Sequence, residues 1–361
     1  MMNNFNNQFP SESGYRMPAE WGPHSATLLT WPHNRETWPG SHLSKVEEVY
    51  RVVVLTLLKY EPVLLLAANQ RVKARAKSLL KGYEELPNPL TILESPVNDV
   101  WIRDYGPICI RNENGILFTD WEYNAWGGKY PPWSDDNGVP LVLADLLGVD
   151  LVKPGIVLEG GSIETNGEGV FLATESVLLN PNRNPGLTKR EIEKKLVHYL
   201  GATQVLWLKE GLIGDDTDGH IDDLTRFVNK NTVVTALPES TGDPNYPALA
   251  ENITILNKTK LKNGETLNVI TLPLPETKVN EATVDGSDYV PASYANFYIA
   301  NGALLLPLYD ERYDAEMLNV FQTLFPNREI EGIHCADLVW GQGSLHCITQ
   351  QLLGTQLPAN L

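Results

Sequence analysis

Cysteine is scarce in this sequence, which has only three among 361 residues. Three thiols cannot close a framework of paired disulfides. The opening residues, MMNNFNNQFP, also lack the basic and apolar segments of a secretory signal. We therefore expect a protein of the reducing cytoplasm. The Asn-rich opening predicts a disordered tail over residues 1–12, followed by a single domain over residues 13–361.

Long apolar runs and an excess of positive charge are missing as well. The longest apolar stretches, residues 52–58 and 63–68, are far shorter than the ~20 residues of a membrane span. The chain has 28 Lys+Arg against 45 Asp+Glu, a formal net charge of −17. Nucleic acids and anionic membranes attract basic surfaces, so we expect neither as a partner. The acidic balance favours a small cationic ligand.

The residues that are present predict a repeated order of elements. Hydrophobic residues make up 42% of the chain, enough for a large core. Asn/Gly turns join β-rich runs into four predicted hairpins: ICIRNENGILFTDW, SIETNGEGVFLATE, RFVNKNTVVTAL and NFYIANGALLLPLY. A helical segment (140–147, 188–200, 246–260 or 312–324) and a short strand follow each hairpin.

A fifth, incomplete module opens the chain. HSATLLTW, a helix and VLLLA follow one another without a hairpin partner, and the C-terminal CITQQLL supplies that partner if the chain closes into a ring. Capping boxes predict helix starts at Ser44 with Glu47 and at Thr188 with Glu191, and Gly201 predicts the end of the second helix. We expect one α/β domain of five modules.

Cys347 is the candidate nucleophile. It follows the glycine-rich segment GQGSLHC, which allows close approach of a ligand. Cys109 alternates with isoleucines in a strand and is expected to be a buried apolar residue. Cys335 follows His334, and neighbouring side chains on a strand point to opposite faces. We therefore do not expect this Cys and His to act together.

Five carboxylates and one histidine fall within residues 215–223 of the segment GDDTDGHIDDLTRF. A calcium loop does not fit, because a register with Gly219 at the sixth place puts Gly214 first and Thr225 last. A transition-metal site lacks a second spaced His or Cys. A solvated acidic turn remains an alternative. The hypothesis we prefer makes His220 a general acid/base, with Asp222 on the same strand face as a cation ligand.

Two further acids occupy corresponding places, just before the first strand of a module. Asp104 lies in VWIRDYGP and Glu159 in VLEGGS, and each alone is equally typical of a turn. Together with the thiol and imidazole, three carboxylates suit a guanidinium, whose planar donors pair with carboxylates. A thiolate could attack the central carbon, and His220 could protonate the leaving ammonia and then activate water.

The sequence resembles the agmatine deiminases and Porphyromonas-type peptidylarginine deiminases of the guanidine-modifying (pentein) superfamily. The similarity runs from Arg16 to Gln351 through RMPAEW, NDVWIRDYGP, DWEYNAWGG, VLEGGSIETNGEG, LLNPNRNP, GHIDDLTRF, SYANFYIANG and LHCITQQ. It implies a fivefold pseudosymmetric α/β propeller. It also implies hydrolysis of agmatine to N-carbamoylputrescine and ammonia through a Cys thiouronium, with no cofactor or metal, in a possible homodimer.

The resemblance also assigns roles to residues. It makes Cys347 the nucleophile and His220 the acid/base, with Asp104, Glu159 and Asp222 as guanidinium-binding carboxylates. The expected substrate-binding residues are Trp101, Asp216 and Trp126. Two departures concern the substrate pocket: the family's GGGN turn is here residues 341–344, GQGS, and its Glu-Thr-Asn-Gly segment is residues 216–219, DTDG.

Three alternatives remain at this point. The same chemistry could act on free arginine or peptidyl-arginine, although the acidic segment has the wrong sign for the carboxylate of free arginine. A noncatalytic cation-binding propeller is a second alternative, and a metallohydrolase built on the Asp/His segment is a third.

Overall fold

The computed structural model describes residues 8–276, 278–279 and 283–357. Residues 1–7 of the predicted tail lie outside them. The prediction is wrong for residues 10–12, which belong to the 3-10 helix Pro10–Ser13. The ring of Phe9 stacks on His198 with centroids 3.8 Å apart, which anchors this segment on the domain.

Five small sheets form the framework of the described residues, and each belongs to one module. The strands are β1 (Ala26–Thr30), β2 (Val63–Ala67), β3 (Leu90–Glu94), β4 (Ile108–Asn112), β5 (Gly115–Thr119), β6 (Leu151–Val152), β7 (Ile163–Thr165), β8 (Val170–Thr174), β9 (Gln204–Leu208), β10 (Thr225–Asn229), β11 (Thr232–Ala236), β12 (Asn268–Leu272), β13 (Tyr298–Ala300), β14 (Ala303–Leu308), β15 (Glu329–His334) and β16 (Gln350–Leu352). All four predicted hairpins are confirmed as antiparallel pairs.

Helices connect the parallel strands within each module, as a parallel crossover requires, and two short helices lie between modules. They are α1 (His42–Leu57), α2 (Gln70–Leu79), α3 (Ile102–Tyr105), α4 (Ala125–Gly128), α5 (Ser134–Leu147), α6 (Glu175–Leu178), α7 (Lys189–Leu200), α8 (Tyr246–Lys258), α9 (Asp314–Leu324) and α10 (Ala336–Val339). None of the helices in the described ranges is long and apolar enough to cross a membrane.

The fifth sheet closes the ring as the sequence predicts. Strand β16 pairs antiparallel with β1, and β1 pairs parallel with β2. The α/β propeller of five modules is therefore confirmed. This closure brings the segment before β16, which carries Cys347, to the same centre as the segments before the other first strands.

One of the two predicted capping boxes is wrong and the other is confirmed. Thr188 and Glu191 cap α7 reciprocally, and Gly201 ends it at φ 73°. Helix α1 begins at His42, and Ser44 Oγ donates a hydrogen bond to the Ser41 carbonyl. Glu47 instead accepts three hydrogen bonds from Arg75, so a tertiary ion pair replaces the local cap.

Candidate active site

Each module contributes one polar segment to the centre of the ring, just before its first strand. Asp104 lies on α3 before β4, Glu159 precedes the 3-10 turn Gly160–Ser162 before β7, and His220 precedes the turn Ile221–Asp223 before β10. Asn296 precedes β13 and Cys347 precedes β16. The repeated architecture thus brings residues that are far apart in sequence together.

Cys347 lies at the end of a tightly packed glycine turn. An added Cβ at Gly343 would lie 2.3 Å from the Trp101 ring, so only glycine fits there. Cys347 as a residue is 7% exposed, and Asn296 Nδ2 donates to its Sγ at 3.2 Å. Burial, together with Asp222 and other nearby carboxylates, raises the pKa of Cys347 well above its usual range. A bound cation would offset this repulsion and favour the thiolate.

His220 is a buried imidazole beside two of the predicted carboxylates. Its Nδ1 lies 3.7 Å from Asp104 Oδ1 and 4.0 Å from Asp222 Oδ1. Its Nε2 has no hydrogen-bond partner in the described part of the chain. Burial and the nearby Arg183 hold the pKa of His220 well below its usual value, which favours the neutral base.

Asp222 does not lie two residues along a strand from His220, as the sequence predicted. It lies in the 3-10 turn that precedes β10. The turn lets the two side chains approach while Asp222 Oδ2 contacts His346 Nδ1 at 2.6 Å. Asp222 Oδ1 stays without a hydrogen-bond partner among the described residues, so it is available to a cation.

Asp104 is held by two donors. Trp126 Nε1 donates to Oδ2 and the Gly161 N–H donates to Oδ1, both at 3.0 Å. Trp126 occupies the left-handed region at φ 54°, which is strained for a residue with a side chain. Burial and the neighbouring Glu159 raise the pKa of Asp104 to about 7. Trp126 therefore positions a carboxylate as well as lining the cavity.

Glu159 already holds a guanidinium from this chain. Arg183 Nε donates to Glu159 Oε1 at 2.5 Å, and both side chains are fully buried. Arg183 also reaches Thr217 O and Asp218 Oδ2, which fixes the loop before His220. Glu159 Oε2 has no hydrogen-bond partner among residues the structure describes. One oxygen is thus committed to structure, and the other remains for a ligand.

A cavity of about 670 Å³ opens above these groups. Five of the predicted residues line it: Trp101, Asp104, Trp126, Asp216 and Cys347. Glu159, His220 and Asp222 lie behind its floor, where Gly161 permits close approach. A Cβ at Gly161 would lie 2.7 Å from His220 Nδ1 and 2.8 Å from Asp104 Oδ1.

Asp216 lies on the cavity wall, away from the buried carboxylates. The Tyr130 hydroxyl donates to its Oδ2 at 2.6 Å. Lys129 donates one hydrogen bond to the Asp216 carbonyl oxygen and another to Asp218 Oδ1. Its ion pair is therefore with the Asp218 carboxylate and not with the Asp216 side chain. Burial and the nearby Asp215 raise the pKa of the Asp216 carboxyl to about 8.

Sequence reasoning missed Asn296, Arg183, His346 and Glu20. Asn296 contacts both Cys347 and Asp223, and His346 joins Asp222 to Glu20. Asn296 occupies the same place in its module as the predicted acids do in theirs. That repeated position was the available signal, although an amide carries no charge to draw attention to it.

Within the ranges that the structure describes, one group of side chains is close enough together to hold a metal ion. Atoms of Asp222, Asp223 and Cys347 lie within 4.8 Å of one another. Asp222 Oδ2 is engaged by His346, and Asp223 Oδ1 accepts from Asn296. Of these three residues, Cys347 lines the cavity, and Asp222 and Asp223 lie behind it.

Comparisons with known protein families and solved structures agree with this architecture and identify the family of the chain. The chain belongs to the Porphyromonas-type peptidyl-arginine deiminase family, whose model matches residues 16–352. The agmatine deiminase of Enterococcus faecalis has a TM-score of 0.89 at 32% identity, and the match covers 96% of this chain and 98% of that one.

Two further relatives extend the comparison. A C. jejuni agmatine deiminase with a Cys-to-Ser substitution and bound substrate has a TM-score of 0.83 at 32% identity, covering 94% of this chain and 97% of its own. A Legionella pneumophila protein is 38% identical over 347 residues, which are 96% of this chain and 97% of its own.

Proposed function

We propose that this protein hydrolyses agmatine to N-carbamoylputrescine and ammonia through a covalent thiouronium on Cys347. The observation that carries the proposal is the buried set of a thiol, a neutral imidazole and three carboxylates beneath the cavity. Among the described residues, Glu159 Oε2 and Asp222 Oδ1 lack partners, which is the arrangement that a planar guanidinium would satisfy. The solved agmatine deiminases that this chain resembles also support it.

The proposed roles follow from charge and position. Asp104, Glu159 and Asp222 hold the guanidinium, and its charge lowers the pKa of the buried Cys347 thiol. His220 takes the proton of the Cys347 thiol, the thiolate attacks the central carbon, and the resulting imidazolium gives that proton to the ammonia that leaves. The same imidazole then takes a proton from water, which attacks the thiouronium and releases the urea product and the thiolate. All groups in this mechanism belong to the chain.

Free arginine is the second candidate. Arg35 is exposed on the cavity lining and could pair with a substrate carboxylate. Glu36 lies next to it and Asp216 faces the same cavity, so the lining also carries acids. The acidic wall favours agmatine, whose far end is a cation. Arg35 makes arginine the competitor to measure.

The test is ammonia release from agmatine, free arginine and a blocked arginine peptide, each with and without prolonged chelation. We expect the highest kcat/KM for agmatine and the same rate after chelation, because no step requires a metal. A preference for the peptide or for arginine would overturn the agmatine assignment and keep the deiminase chemistry. Reversible loss on chelation, restored by one divalent ion, would favour a metallohydrolase.

Asp216→Asn tests recognition of the agmatine amine. A charged hydrogen bond contributes about 1.5–3 kcal/mol, so we expect roughly a tenfold or larger fall in kcat/KM for agmatine. A neutral alkylguanidine of equal length should hardly be affected. Because the pKa of Asp216 is raised to about 8, its charged form increases as the pH rises through 8. The preference for agmatine over the neutral analogue should rise over the same interval in the wild type and stay flat in the variant.

Asp145→Asn is the matched control for this variant. Asp145 is exposed on α5 and does not line the cavity. Its substitution should leave both substrates unchanged. Equal losses for the two substrates in Asp216→Asn would show that Asp216 supports the loop and does not bind the amine.

A further inference from the structure

His346 lies between two carboxylates and is not among the groups with an assigned role. Its Nδ1 is 2.6 Å from Asp222 Oδ2, and its Nε2 is 2.8 Å from Glu20 Oε2. Both contacts require a hydrogen between nitrogen and oxygen. A neutral imidazole has only one N–H, so a second proton must lie on the ring or on one of the carboxyls.

The surroundings place that second proton on Asp222 when no cation is bound. Glu20 is the ionised partner, because Arg226 and Arg103 lie 3.1 and 3.3 Å from its oxygens and the Ile299 N–H donates to it at 2.8 Å. These contacts offset burial and hold the pKa of Glu20 well below its usual range. Burial and Asp104 raise the pKa of Asp222 well above its usual range.

The charged groups around His346 come from several elements. Asp222 and Asp223 lie in the turn before β10, Arg226 lies on β10, Arg103 lies on α3, Glu164 lies on β7, and Glu20 precedes β1. Burial and the two arginines lower the pKa of His346, which keeps the ring neutral in the free protein. The resulting order is Asp222 carboxyl, neutral His346 with Nε2–H, and Glu20 carboxylate.

We propose that His346 is a positioning residue that accepts the proton of Asp222 when the guanidinium binds. The Asp222 O–H bond breaks and a His346 Nδ1–H bond forms over the 2.6 Å contact, while Nε2–H keeps its bond to Glu20. Asp222 becomes the anion that the cation requires, and the imidazolium stays between two carboxylates. The proton remains inside the protein. This inference rests on the proposed binding of a guanidinium at Asp222.

The experiment follows the ring directly by NMR of protein labelled with 15N-histidine. The Cys347→Ala protein is used because we expect it to bind agmatine without turnover, and loss of a signal pair in Cys347→Ala/His346→Gln assigns His346. We expect one protonated nitrogen on His346 in the free protein and two after saturation with agmatine. His198, which stacks on Phe9 away from the site, should not change. An unchanged His346 in the saturated complex would overturn the proposal.

A second measurement uses calorimetry in buffers of different ionisation enthalpy. In Cys347→Ala/His346→Gln there is no imidazole to accept the Asp222 proton. Agmatine binding should therefore release about one more proton to the buffer than it does in Cys347→Ala alone. Equal proton release by the two proteins would contradict proton transfer from Asp222 to His346. Methylguanidinium separates this idea from the agmatine assignment: His346 should still become protonated with methylguanidinium even if agmatine itself does not bind.

Discussion

Replacing Cys347 with alanine is expected to abolish ammonia release while agmatine binding remains measurable. The substitution removes the nucleophile, and the carboxylates that hold the guanidinium stay in place. Loss of a covalent nucleophile lowers kcat by about four orders of magnitude or more. Calorimetric titration with agmatine and a steady-state ammonia assay measure the two quantities on the same preparation.

Cys335→Ser is the matched control for this change. Cys335 is also fully buried, and its thiol donates to the Ile333 carbonyl, a bond that serine can keep. The control should retain turnover and be inactivated by alkylation as the wild type is, and agmatine should protect both from inactivation. Because the pKa of Cys347 is raised in the free protein, its alkylation rate should increase with pH. Substantial turnover by the alanine variant would eliminate the thiol mechanism.

Replacing His220 with alanine should stop steady-state turnover at a different step. His220 is needed to protonate ammonia and then to activate water, and its buried Nε2 has no partner among the described residues. General acid–base catalysis contributes about 10²–10⁴-fold, and here it acts in both half-reactions. We expect kcat to fall to the detection limit of the ammonia assay. Mass spectrometry after mixing with agmatine should detect the thiouronium adduct if the first step still proceeds.

His198→Ala supplies the control, because His198 is at the end of α7 and outside the cavity lining. It should keep the wild-type rate and accumulate no adduct. A His220→Ala protein that turns over within tenfold of the wild type would show that water or another group moves the protons.

The ring of modules could be predicted because hairpin turns, helix periodicity and strand order are local signals. The four hairpins and the pairing of β16 with β1 follow from them. The absence of the predicted Ser44 cap could not be foreseen, since Arg75 binds Glu47 from another helix. A sequence window has no access to that tertiary contact.

In the candidate site, too, local signals could be predicted from the sequence and tertiary contacts could not. Residue type and the place before a first strand were sufficient to select Asp104, Glu159 and Cys347. They did not reveal that Arg183 occupies one oxygen of Glu159, because this pair joins segments 24 residues apart. The turn conformation of Asp222 was missed because GHIDD directly precedes the apolar strand β10 and was read as part of it.

Closure of the first sheet by β16 also has a consequence for synthesis on the ribosome. Cys347 lies only three residues before β16, so the proposed nucleophile and the strand that closes the ring emerge together, after all four hairpins have been made. Until then β1 lacks its antiparallel neighbour, and the acidic groups around the axis have no thiol to act with. The pairing of β1 with β16 spans 322 to 326 residues in sequence. Such distant contacts form slowly, which makes joining the two ends of the ring the natural last event in maturation.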